Sequence, residues 1–219
     1  MPFVADGRGA PTLGLRERKK LRTRTTLIDA AVDLCMQQGF DRTTVDQIAA
    51  IADVSPRTFS RYFATKEAIA LALIDEVLDQ VAVELARQPL ELNHFEAILQ
   101  AHLAMVDAAR HALPGDLTIA RVMCIVRIVF SSPALRQVAP EYRANAVNIA
   151  LAERMGAHVY DRGPRLVSAV WGSVLMTAFV DAPAEGRDWS QVGIDDLIER
   201  LQATFADFTG LMEGLRQTV

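Results

Sequence analysis

Cysteine occurs only twice in the 219 residues, aromatic side chains make up 6%, and the formal net charge is −4. Two cysteines cannot build a disulfide framework, so Cys35 and Cys124 are expected as reduced core residues of a cytoplasmic protein. The most apolar run, Leu166 to Val180, has 15 residues and includes Gly172 and two serines. A membrane span needs about 20, so a buried helix is expected there and no membrane partner. The histidines (His94, His102, His111 and His158) show no i,i+4 pair and no His-Glu-x-x-His pattern. Cys-x-x-Cys, a phosphate-binding glycine loop and Gly-x-Ser-x-Gly are missing too, which removes the usual signatures of metal, nucleotide and acyl-transfer chemistry. No catalytic residue, metal or cofactor is expected.

Positive charge is scarce overall but unevenly spread. Residues 1–70 hold 11 Lys/Arg against 8 Asp/Glu, while residues 71–219 hold 12 against 19. Arg16 to Arg24 reads Arg-Glu-Arg-Lys-Lys-Leu-Arg-Thr-Arg, six cations to one acid. Such a run alone is an ordinary solvated face; next to a DNA-reading motif it neutralises phosphates or enters a minor groove, and Arg22 and Arg24 are its candidates. Residues 1–14, with three glycines and two prolines, read as a flexible leader without the apolar core of a signal peptide.

That motif lies directly downstream. Thr44 with Gln47 is a capping-box pair, and Val45, Ile48, Ala49 and Ala52 follow at helical spacing. Ser55 is a strong N-cap, and Pro56 suits the first helical position, where its missing N–H costs nothing. Phe59, Tyr62 and Phe63 form an inward face. Small Ala49 suits the crossing point of two helices, and Asp53 stands where the turn calls for a residue that tolerates positive φ. Two short helices around a tight turn make a helix-turn-helix, and an ordinary αα-corner is the plainer alternative. Arg57, near the start of the second helix, suits bidentate pairing with guanine; Arg61 suits either a base or a phosphate. Tyr62 suits a phosphate or, equally, the core with its hydroxyl at the rim.

The rest reads as helix almost throughout. The first helix spans about 15–38, with Leu27, Ile28, Ala31, Leu34 and Cys35 inward and Gly39 at its end. Further helices are expected near 66–88, 93–112, 116–131 (capped by Asp116), between Pro133 and Pro140, and over 141–157, 164–180 and 192–216. No strand is convincing, so the fold class is all-α.

Gln38-Gly39-Phe40, Thr43-Thr44-Val45-x-x-Ile48-Ala49, Val54-Ser55-Pro56-Arg57-Thr58-Phe59-Ser60-Arg61-Tyr62-Phe63 and Thr65-Lys66-Glu67-Ala68 together resemble the N-terminal domain of TetR-family transcriptional regulators. The resemblance covers about residues 18–75. It implies a helix-turn-helix domain over 15–64 and an α-helical ligand-binding and dimerisation domain over 65–219. It further implies base contacts from Pro56, Arg57 and Ser60, and phosphate contacts from Thr44, Ser55, Thr58, Tyr62 and Lys66. The family usually has glycine where this chain has Asp53. The Ser-Pro-Arg-Thr-Phe wording resembles an actinobacterial subgroup that answers to fatty-acyl thioesters.

A homodimer on a palindromic double-stranded operator is the expectation, because one helix-turn-helix supplies few contacts and a two-fold dimer reads two half-sites. The resemblance assigns the dimer bundle to the last two long helices. Leu166, Val170, Val174 and Thr177 or Ala178 stripe one; Leu197, Leu201, Phe205, Phe208 and Leu211 or Met212 stripe the other. The same stripes also suit core within one chain. Met105, Met123, Cys124, Ile128, Trp171, Leu175 and Phe179 are candidates to line a pocket for a small apolar or amphipathic ligand. Arg127 (or Arg121) would meet its anionic group; plain core packing, and an arginine paired with an acid, are the alternatives. The function expected is a ligand-responsive repressor. A constitutive DNA-binding protein without an effector, or an all-α enzyme or carrier, are the rivals.

Overall fold

The computed structural model describes residues 14–113, 115–131, 145–183 and 188–217. The leader and the short helix expected between Pro133 and Pro140 lie outside the described residues, as do 141–144. Within them the chain is all-helical, without strands. Helix α1 spans Leu15–Gln38, α2 Val45–Ile51, α3 Pro56–Tyr62, α4 Lys66–Ala86 and α5 His94–Arg110. Helix α6 spans Ile119–Ser131, α7 Ala146–Arg154, α8 Arg162–Phe179 and α9 Ile194–Gln217, with a short 3₁₀ turn at Trp189–Gln191.

Local chemistry accounts for most boundaries. Gly39 ends α1 at φ 87, where its N–H still reaches the Cys35 carbonyl at 2.9 Å. A side chain is disfavoured at that φ. Thr44 and Gln47 form the expected capping box of α2, and Asn93 and Glu96 build a second one at the start of α5. Thr65 caps α4 through the Ala68 amide, and Asn145 caps α7 through the Asn148 amide. Asp116 does not cap α6. That helix starts three residues later, and the Thr118 hydroxyl accepts the Arg121 N–H at 3.4 Å.

Two apolar cores result, and two helices serve both. The first gathers Leu27, Ile28 and Leu34 of α1 with Ile48, Phe59, Phe63, Ile69 and Leu73. The second gathers Val81, Leu85, Ile98, Met105, Leu151, Trp171, Val174 and Leu201. Helix α4 thus starts in the head core and ends in the body core. Helix α6 divides differently, sending Cys124, Ile125 and Ile128 to the head and Val122 and Met123 to the body. In the body, α4 packs on α5 and α7, and α8 packs on α9. Head and body therefore share a seam along α1, α4 and α6 rather than a linker.

Candidate nucleic-acid interface and the seam behind it

The α2–α3 turn places a short helix on the surface with one face pinned. Asp53 takes φ 52, the left-handed conformation required by the turn. Next to it, the Val54 amide returns to the Ala49 carbonyl at 2.9 Å. Ser55 caps α3 by accepting the Thr58 N–H at 3.1 Å, and its hydroxyl also meets the Thr58 hydroxyl at 3.0 Å. Phe59 and Phe63 are buried beneath, with rings 6.0 Å apart, and Ala49 fills the crossing. Pro56, Arg57, Ser60 and Arg61 are left on the exposed face, the geometry in which a second helix enters a major groove. The Ser60 hydroxyl donates to the Pro56 carbonyl at 3.1 Å, and the Arg61 guanidinium lies 5.4 Å from the half-buried Tyr62 ring.

The basic run is helical and solvent-facing from Leu15 onward, so it extends α1. Arg22 is exposed, and Arg24 stacks over the Phe63 ring at 5.2 Å, which places it beside the end of α3. Lys66 departs from the free phosphate ligand that the resemblance implies. Its ammonium donates to the carbonyls of Phe40, Asp41 and Thr43 at 2.9, 3.3 and 3.1 Å. It also sits 4.6 Å from the Phe40 ring centroid. Those bonds use all three donors of a lysine, which makes Lys66 the clasp of the α1–α2 loop.

Arg121 also has a settled place. It is 3% exposed, and it bonds Asp29 of α1 at 2.7 Å and Glu76 of α4 at 2.6 Å. It therefore ties three helices across the seam. Nothing local marks this role, because its partners are distant in sequence. A cleft of about 560 Å³ opens along the same seam, lined by Arg24, Tyr62, Glu76 and Arg121; another, of about 470 Å³, opens between α4 and the end of α5, lined by Val83, Ala109 and Leu117.

Arg121 apart, none of the expected ligand-lining residues borders either cleft. Met105, Met123, Trp171 and Phe179 are buried in the body core, and half-buried Leu175 packs against it. Cys124 and Ile128 do not join them. Both face α1 in the head core, because they lie one helical turn apart on the opposite side of α6. Four side-chain polar atoms of the body are buried without a partner among the described residues: His94 Nδ1, Arg154 Nε and two more on α8 and α6. The Trp171 indole N–H is buried at a residue 4% exposed, and the Nε of half-buried Arg127 has no acceptor. Arg127 makes no ion pair among the described residues. The His102 ring lies 5.2 Å from Trp171, and burial pushes its pKa down to about 4 even though its Nδ1 bonds the Ile98 carbonyl at 2.8 Å.

Comparison with known proteins fits this geometry. The model of bacterial regulatory proteins of the tetR family matches residues 27–73. The HTH-type transcriptional regulator TcmR of Streptomyces glaucescens is 34% identical over 166 residues, which cover 74% of this chain and 73% of that protein. The HTH-type transcriptional regulator RutR of Escherichia coli K12 is 37% identical over 68 residues, 31% of this chain and 32% of RutR. Among solved structures, Thermus thermophilus FadR, a repressor crystallised with lauroyl-CoA, has 21% identity and a TM-score of 0.45, covering 83% of this chain and 93% of that one.

Proposed function

The chain belongs to the TetR family of bacterial transcriptional regulators, and on that premise we propose that it is a repressor that holds a palindromic operator as a homodimer and releases it on binding a small ligand. The observation that carries the reading is the exposed face of α3, where Pro56, Arg57, Ser60 and Arg61 stand over a buried Phe59. Arg57 is assigned to a base edge, with Pro56 and Ser60 beside it; Arg22, Arg24, Thr44, Ser55, Thr58, Arg61 and Tyr62 are assigned to the phosphates around it.

The dimer is assigned to the outward faces of α8 and α9. Leu166, Ala169, Gly172 and Thr177 are exposed along α8; Ala203, Ala206, Gly210, Leu211 and Gly214 are exposed along α9. Small residues at helical spacing let two helices approach closely, and a Cβ built on Gly172, Gly210 or Gly214 meets nothing within 4 Å in the chain itself. Val174, Ala178, Leu197 and Leu201, by contrast, serve the chain's own core.

The effector is assigned to the body between α5, α6 and α8, where Met105, Met123, Leu175 and Phe179 supply apolar surface. The Trp171 N–H and the Arg127 Nε are buried polar atoms without a partner there. This favours an apolar body carrying an anionic or acceptor group, and fatty-acyl thioesters are the first class to test. Binding shifts the heads only in proportion to the ligand's differential affinity for the two arrangements.

Gel-shift titration against the DNA flanking the coding region tests the whole reading. Specific binding is expected at a palindrome, with Arg57→Ala costing about 1–3 kcal/mol at one base pair. A panel of apolar anions should release the DNA. Binding without sequence preference would overturn the reading, and binding that no ligand relieves would leave a constitutive regulator.

A further inference from the structure

Cys35 of α1 and Cys124 of α6, far apart in sequence, are buried in one core where these two helices pack, within hydrogen-bond reach of one another. They are 4% and 1% exposed and belong to one apolar cluster with Leu27, Ile125 and Ile128. Both are free thiols. We infer that they are a redox site: hydrogen peroxide converts the pair into a disulfide that bolts the DNA-reading helices to the body. The effect on DNA rests on the regulatory reading above; the formation of the bond does not.

The two sulfurs are not equivalent. The Cys124 thiol donates to the Cys35 sulfur, which draws the Cys35 thiol below its usual range and pushes Cys124 well above it. Burial opposes ionisation at both. The guanidinium of Arg127, one turn beyond Cys124 on α6, favours the anion at both sulfurs. Lys66 adds to this at Cys35, and Asp41 opposes it. Cys35, the more accessible of the two and the one that faces both Arg127 and Lys66, is assigned as the nucleophile and Cys124 as the resolving thiol, since the thiolate is the form that attacks.

The chemistry closes without further reagents. The Cys35 thiolate attacks one peroxide oxygen and the O–O bond breaks, leaving Cys35 sulfenic acid and hydroxide, which takes up a proton. Cys124 then attacks the Cys35 sulfur, the S–O bond breaks, and its proton leaves with the hydroxyl as water. Two thiols lose two electrons, and the peroxide is reduced to two waters.

Location gives the bond its consequence. On α6 it lies one turn from Arg121, whose bond to Asp29 already holds α6 to α1. An ion pair can exchange as the head re-orients; a covalent bond at the same seam cannot. The tethered heads lose the freedom to settle on two half-sites of fixed separation. Because both sulfurs are buried, oxidation waits on opening of the seam and proceeds at the rate of that opening.

The test treats the full-length reduced protein with hydrogen peroxide, blocks remaining thiols with N-ethylmaleimide, and follows intact mass, peptide linkage and operator affinity. Expected are the loss of two hydrogens, a Cys35–Cys124 linked peptide within one chain, and an affinity weakened about tenfold or more. Dithiothreitol should restore it. Cys124→Ala and Cys124→Ser should both accumulate a dimedone-reactive Cys35 and form no disulfide. Both thiols staying alkylatable, or cross-links only between chains, would overturn the redox site. A disulfide that leaves or raises operator affinity would overturn its role as a release switch. If the reduced protein binds no DNA, the regulatory reading fails and the mass measurement still decides the site.

Discussion

Acid should loosen this fold through one histidine before the carboxylates matter. His102 sits on α5 with its ring against Trp171, and burial holds its pKa near 4 instead of the usual 6.5. Above pH 6.5 the ring is neutral in both the folded and the unfolded chain, so its contribution to stability is fully present. As the pH falls below 6.5 the unfolded chain binds a proton that the folded chain refuses, and stability declines until the folded ring also titrates near 4. Each pH unit inside that window costs about 1.4 kcal/mol, or about 3 kcal/mol across it. Urea denaturation of wild type and His102→Gln at pH 7.5, 6.5, 5.5 and 5.0 checks this. The other three histidines and every carboxylate are common to both proteins, so they largely cancel in the difference. The stability gap should shift toward the variant by about 1.4 kcal/mol per pH unit below 6.5. Parallel curves for the two proteins would refute the assignment.

Asp53→Gly should stabilise the head by about 1 kcal/mol or less in urea, since aspartate at φ 52 carries a steric cost that glycine avoids; a loss of stability would contradict the strain argument. Lys66→Met should cost about 1–3 kcal/mol of stability by removing the donor shared by the Phe40, Asp41 and Thr43 carbonyls, of which Phe40 keeps the Thr43 N–H, with the salt slope of DNA binding measured by gel shift unchanged. Arg121→Met should change stability by only about 1 kcal/mol, because Asp29 and Glu76 remain partly hydrated. Hydrogen exchange should nonetheless rise in α1 and α6 where they meet. Gly210→Leu meets no obstacle within the chain and improves helix propensity by about 1 kcal/mol, yet should weaken self-association in sedimentation.

What could be read beforehand was local. Thr44 with Gln47, Ser55 with Pro56 and the tolerant Asp53 each depend on neighbours within a few residues, and all appear where the spacing requires. Asp116 failed because the helix starts at Ile119, where Thr118 is the adjoining residue and its hydroxyl accepts the Arg121 N–H. Lys66, Arg121 and the cysteine pair escaped because their partners come from other helices, and no periodicity encodes a tertiary partner. The α8 and α9 stripes show the same limit from another side. Counting apolar residues merged a core face (Val174, Leu197, Leu201) with an outer one (Leu166, Leu211), and it gave no weight to the glycines and alanines that make the outer face flat.

The seam explains why a regulator of this architecture needs no flexible hinge. Helices α4 and α6 each bury residues in both cores, so a change in body packing displaces residues of the head core directly. Arg121 sits at that junction with an asymmetric cost. The arginine is almost wholly desolvated, whereas Asp29 keeps 48% and Glu76 28% of its side-chain surface. A pair arranged this way contributes little net stability, because the charge with the larger desolvation penalty is the one that is buried. What it does supply is direction: two acids on different helices fix a planar guanidinium, and through it the angle of α6 against α1 and α4. On the proposed effector site, a ligand that spread the body core around Met105 and Met123 would push on α6 and carry Arg121 with it. Asp29 would then move the whole of α1, or the bond would be exchanged for water at the exposed carboxylate. Under that proposal either outcome would re-aim α3, and the low net strength of the pair would keep that choice within reach of a small ligand's binding energy.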